Sequence, residues 1–62
     1  MKFERTCTCI EDLIIADYHF HKGREYQVDI FPLYYQVYQN GGWTDYIFMK
    51  EEEFNKNFKL ID

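Results

Sequence analysis

Four residues of this 62-residue chain have types and spacing that could do chemistry: Cys7 and Cys9 in a Cys-x-Cys, His19 and His21 in a His-x-His. Thiolate sulfur and imidazole nitrogen are the ligands of tetrahedral zinc, and two of each is a common set. If the two pairs lay on adjacent antiparallel strands, 7 opposite 21 and 9 opposite 19, the turn would centre on Ile14. All four side chains would then leave one face, and a bound metal would help so short a chain to fold. Parity argues the other way. Successive strand residues point to opposite faces, so histidines beside the cysteines would put Tyr18 and Phe20 on the opposite side. With the cysteines in the core, two large aromatic residues would face water. Four side chains on a flat grid of ~5 by 7 Å also converge poorly on bonds of ~2.0–2.3 Å. The expectation is therefore that Cys7 and Cys9 pack as small apolar residues on an inner wall. Tyr18 and Phe20 then point inward, and His19 and His21 lie exposed near a loop. A zinc-stabilised domain through Cys7, Cys9, His19 and His21 stays open as an alternative.

A cysteine nucleophile with a histidine base is the catalytic version of the same idea. It lacks a third orienting group, and a cysteine on a strand lacks the helix N-terminus that lowers a thiol pKa. Nor do the two cysteines suit a disulfide: at i and i+2 on a strand their Cα atoms are ~6.5–7 Å apart, at the limit of its span. Glu51, Glu52 and Glu53 could suggest a divalent cation, but consecutive carboxylates diverge on a helical turn. A solvated first turn, with acidic side chains at the positive helix end, explains them. The chain is expected to be no enzyme and to need no cofactor.

The elements that position these residues follow from periodicity. Apolar residues repeat mostly at every second position, so the chain is mainly β. A first strand runs from about Phe3 to Ile10. Leu13 to Ala16 is an apolar run, either a strand end or a buried turn. Lys22-Gly23 is a turn with Gly23 at positive φ. Tyr26 to Ile30 is a strand with Tyr, Val and Ile on one face and Gln and Asp on the other, and Pro32 ends it. Leu33 to Gln39 and Trp43 to Met49 form a hairpin about Asn40-Gly41-Gly42, with the turn at Asn40-Gly41 or at Gly41-Gly42. Either turn groups Tyr35, Val37, Tyr46 and Phe48 on one face, and Tyr34, Tyr38, Trp43 and Ile47 on the other. Phe54 and Phe58, four apart behind three acidic residues, indicate one or two helical turns. Lys59 to Ile61 closes the fold as a last strand. The result is a single all-β domain over residues 1–62, a small SH3-like barrel of about five strands with one short helical turn.

A chain of this length is near the lower limit for folding alone. Six Phe, six Tyr and one Trp supply the compensation, since each large ring buries ~150–250 Å². Eleven acidic against seven basic side chains give a formal charge of −4. That disfavours a phosphate backbone and favours a basic partner. No leader or membrane-spanning run is evident, so a cytoplasmic protein with free thiols is expected.

The segments "FHKGREYQVDI", "YYQVYQNGG" and "EEEFNKNFKLI" together resemble small barrel proteins encoded by bacteriophages and prophages of Gram-positive bacteria. The shared plan is Phe-x-Lys-Gly-x-x-Tyr-x-Val, a Gly-turned hairpin, an acidic turn and a Phe-x-x-x-Phe ending, over about Phe20 to Ile61. The resemblance implies the barrel and a mobile-element origin, hence the host cytoplasm, and no activity.

The aromatic hairpin carries the functional expectation. A half-buried hairpin should have one polar face, and here both faces are aromatic. The face expected to point outward holds Tyr34, Tyr38 and Trp43, with Asp45 and Gln36 between them. Tyr and Trp anchor interfaces because they bury much area for few frozen torsions. The leading function is a non-enzymatic protein–protein interaction module, binding a host protein or a second copy of itself through Tyr34, Tyr38, Trp43 and Asp45. A single-stranded nucleic-acid binder that stacks bases on the same rings is the alternative.

Overall fold

The computed structural model describes residues 4–39 and 45–61. In chain order the elements are β1 (Glu4–Cys9), β2 (Leu13–Ile15), β3 (Tyr18–Phe20), β4 (Glu25–Ile30), β5 (Tyr35–Tyr38), β6 (Tyr46–Met49), α1 (Glu51–Asn57) and β7 (Phe58–Leu60). Five strands form one antiparallel sheet in the order β6-β5-β4-β1-β7, and β2 and β3 pair separately. The first strand thus lies between the last strand and a β4-β5-β6 meander, with a short helix leading into β7. This is the all-β class read from the sequence, and the strand order fits a small bent barrel.

Period-2 sequence makes the sheet's inner surface. β1 pairs with β4 so that Cys7 lies opposite Tyr26, and with β7 so that Cys9 lies opposite Phe58. Val28 lies opposite Val37 across β4 and β5. Those residues, with Phe20, Met49 and Phe54, form one buried cluster. Its rings meet edge to face, with Phe20 5.0 Å from Tyr26 and 5.4 Å from Phe58 between centroids. Such geometry sets the positive edge of one ring on the negative face of the next. The four-residue spacing of Phe54 and Phe58 places both on the buried side of α1 and its exit. They stack at 5.2 Å, and Tyr35 stacks on Phe54 at 4.5 Å. The helix thereby attaches to β5. Glu51, Glu52 and Glu53 occupy its first turn, the end where carboxylates complement the helix dipole.

The β4-β5 connection is tight. The Phe31 N–H donates to the Tyr34 carbonyl at 3.0 Å, leaving Pro32 and Leu33 as the two turn residues. Proline suits the position because it needs no donor there. Gly23 has φ +90°, as the Lys22-Gly23 turn requires, and its N–H donates to the Cys9 carbonyl at 2.8 Å. The Leu13–Ala16 run behaves differently from a buried turn. It forms β2 and the start of a hairpin, with Ile14 72% exposed and Ala16 at φ 53°. Alternation explains this: Leu13 and Ile15 face the core, and Ile14 between them must face out.

The meander's second hairpin has a register that the sequence does not specify. Tyr35 lies opposite Met49, Val37 opposite Ile47 and Tyr38 opposite Tyr46. A two-residue turn at Asn40-Gly41 or Gly41-Gly42 would make opposed residue numbers sum to an odd value. Here they sum to an even one. The Gln39 N–H reaches the Asp45 carbonyl at 2.7 Å, so five residues, 40–44, make the connection; they lie outside the described residues. One step of parity exchanges the faces of β6 relative to β5. Tyr35, Val37, Ile47 and Met49 share the inner face, and Gln36, Tyr38, Tyr46 and Phe48 share the outer one.

Candidate interaction surface

The Cys/His arrangement resolves by topology. β1 pairs with β4 and β7, and β3 pairs with β2, so the ladder that would bring 7 to 21 and 9 to 19 does not form. Phe20 is fully buried in the core beside the cysteines. His19 and His21, of opposite parity, stack on each other with ring centroids 3.9 Å apart. His21 is exposed as expected, whereas His19 is half-buried. Its Nε2 has no hydrogen-bond partner among the described residues.

Both cysteines are free and buried. The Cys7 thiol donates to the Tyr26 carbonyl at 3.4 Å, and the Cys9 thiol to the carbonyls of Glu11 at 3.0 Å and Phe20 at 3.6 Å. These are thiols used as weak donors in a packed wall, which suits structure rather than nucleophilic attack.

Burial pushes the Cys9 thiol above its ordinary value of 9.0, with Asp12 and Glu11 adding to the rise and a hydrogen bond to Glu11 opposing it. Burial likewise raises the Tyr35 hydroxyl above 10.0, assisted by the Glu51 charge and opposed by Arg5. In the unfolded chain both groups lose their protons at the ordinary values, before the folded chain does. The unfolded state therefore binds fewer protons at high pH, and stability must fall as pH rises. Urea midpoints measured from pH 7 upward should hold until about pH 9 and then fall, more steeply beyond about pH 10. Cys9→Ala should remove the Cys9 share of the earlier part of the fall; an unchanged onset would show that the Cys9 thiol is not its source.

The candidate interface residues fall into three groups. Tyr34 and Asp45 are exposed, as read from the sequence. Trp43 lies outside the described residues. Tyr38 corrects the expectation: it is 2% exposed, and its hydroxyl donates to Oδ2 of the fully buried Asp29 at 2.7 Å. A buried carboxylate must be supplied with donors, and the hydroxyl at the tip of Tyr38 meets that need. Tyr38 is thus a support beneath the outer face, not part of its surface. The neighbouring Gln39 side chain donates from Nε2 to the His19 carbonyl at 2.9 Å, joining the end of β5 to β3.

Among the described residues the exposed rings are Tyr34, together with Tyr46 and Phe48, at 38%, 38% and 52%. They form a continuous row. The half-buried Phe31 lies 4.9 Å from Tyr34, Tyr34 4.8 Å from Phe48, and Phe48 5.4 Å from Tyr46. Tyr46 rests against buried Tyr38 at 5.7 Å. Leu33, 85% exposed at the tip of its turn, extends the chain segment that carries Phe31 and Tyr34. Tyr46 and Phe48 escape the sequence reading because the loop's odd length decides their face. The one available signal is that Ile47 and Met49 offer β6 an equally apolar inward set.

No family model, curated protein sequence or solved structure matches this chain. Among the described residues no group of three or more His, Cys, Asp or Glu side chains is gathered to hold a metal ion, and no helix is long and apolar enough to cross a membrane.

Proposed function

We propose that this protein is a non-enzymatic interaction module that binds a protein partner through the aromatic row Phe31, Tyr34, Phe48 and Tyr46. One observation carries the reading: exposed rings spaced 4.8–5.4 Å apart run unbroken along the outer face, while a separate set fills the core. Burial of a core does not require a second aromatic surface, and contiguous exposed apolar patches mark contact sites. Rings already packed on one another lose little freedom when covered, so more of the burial energy appears as affinity. Asp45 and Lys50 flank the row at the two ends of β6, and Glu51 and Glu52 are exposed just beyond. With a net charge of −4, the chain favours a partner with a basic rim. The resemblance to phage and prophage barrel proteins supports an accessory role inside a bacterial host, with a host protein or a second copy as the target.

Immobilised protein should retain a partner from Gram-positive lysate or from its own solution. The double variant Tyr34→Ser/Phe48→Ser should retain about a tenth or less, since central aromatic anchors are worth ~2 kcal/mol or more each. Equal retention by the two proteins would refute the assignment.

A further inference from the structure

Among the described residues β6 is an outer strand, paired on one side only, with β5. Its ladder decides which of its backbone groups face outward. Gln39 and Asp45 form a hydrogen-bonded pair, and in an antiparallel ladder such pairs alternate with non-bonded ones. Asp45, Ile47 and Met49 therefore turn their N–H and C=O groups to β5, and Tyr46 and Phe48 turn theirs to the open edge. The same two residues carry exposed rings on the outer face. Backbone that seeks a partner and apolar surface that seeks cover thus coincide. Natural edges are usually blunted by a lysine, a proline or a bulge. Tyr46–Met49 is short, at four residues, but carries none of these: its sequence is Tyr-Ile-Phe-Met, and its register to β5 is unbroken.

We propose that β6 pairs with β6 of a second copy of this chain, antiparallel and about a two-fold axis. The inference rests on the aromatic row being a contact surface, and it names the occupant. A two-fold axis perpendicular to the sheet keeps like faces together, so opposed residue numbers must sum to an even value. The bonded pairs must also be built from Tyr46 and Phe48. Centring the axis on Ile47 meets both conditions and sets Tyr46 opposite Phe48 of the partner subunit. About four new backbone hydrogen bonds form, and the two aromatic rows become one. Charge at the strand ends favours the same register, while the net charge of −4 on each copy opposes tight association. With the axis on Ile47, Asp45 lies opposite Met49 of the partner subunit, and no like charges are opposed. An axis on Phe48 would oppose Asp45 to Glu51 of the partner subunit, and parallel pairing would oppose Asp45 to its own copy; like charges directly opposite are unfavourable. A four-residue edge buries less than the ~1,200 Å² at the low end of stable interfaces. The dimer is therefore weak and set by concentration.

Sedimentation equilibrium from about 10 μM to about 1 mM, with amide hydrogen exchange on the same samples, tests it. The mass should rise toward two chains, and the Tyr46 and Phe48 amides should slow as it does while the core amides stay constant. Phe48→Lys, which keeps the strand but charges the edge, should weaken association ~tenfold or more. Phe48→Pro should do the same by removing a donor that β5 does not use. A chain that remains monomeric to about 1 mM, or a dimer whose Tyr46 and Phe48 amides exchange at one rate throughout, would overturn edge pairing. A monomer that still retains a lysate protein through Tyr34 and Phe48 removes only the second copy as occupant. Loss of both removes the contact surface itself.

Discussion

Phe58→Ala should leave the chain largely unfolded in buffer at room temperature. Phe58 is 2% exposed and is the ring at which the core's parts meet. It packs against Phe20 of β3 at 5.4 Å, Tyr26 of β4 at 6.2 Å and Phe54 of α1 at 5.2 Å. Its strand also pairs with β1 opposite Cys9. Truncating a buried Phe to Ala costs ~3–5 kcal/mol, part of it for the cavity left behind. A 62-residue domain has only ~3–9 kcal/mol in total, at 0.05–0.15 kcal/mol per residue. Circular dichroism with a urea titration should show a midpoint near zero urea or no folded baseline. A variant that kept a transition within ~1 kcal/mol of the parent would mean that the aromatic cluster is not what holds the sheet to the helix.

Tyr38→Phe should be the next most costly single change among conservative ones. It removes one oxygen and no ring. That oxygen donates to the Asp29 carboxylate where both residues are buried, and a hydrogen bond to a charged group in that setting is worth ~1–3 kcal/mol. Tyr46→Phe supplies the control, because its ring sits on the same outer face but is exposed. It should change stability by ~0.5 kcal/mol or less. Equal effects of the two substitutions would show that the Tyr38 hydroxyl does not support the carboxylate. The contrast matters for function, since Tyr38 is the floor on which Tyr46 rests.

The sequence made some of this legible and hid the rest for physical reasons. Strong alternation in Tyr26–Ile30 announced β4 and its inward face correctly. The Phe54/Phe58 spacing announced α1, and the parity of Tyr18 and Phe20 assigned Phe20 to the core and separated His19 and His21 from Cys7 and Cys9. These are local signals, each set by a period of two or of about four within one element. The β5-β6 register depends instead on whether a loop has an odd or even number of residues. Asn40-Gly41-Gly42 permits several closures, and both faces of the hairpin are apolar enough to be buried. Tyr38 was therefore expected on the surface, and Tyr46 and Phe48 inside. Asp29 was legible as a residue of the polar face, but nothing near it in sequence signals that Tyr38 would cover and bond it. The proposed interface changes its members with this exchange, because the proposal depended on a surplus of rings rather than on which ring was outermost.

If the aromatic row serves contact and not folding, as proposed, Phe48 separates the two most sharply because it is 52% exposed. The decisive measurement is a urea titration of Phe48→Ser alongside its retention of partner or second copy. Stability should stay within ~0.5 kcal/mol of the parent, while retention falls to about a tenth. A stability loss above ~2 kcal/mol, or full retention at parental stability, would contradict the claim.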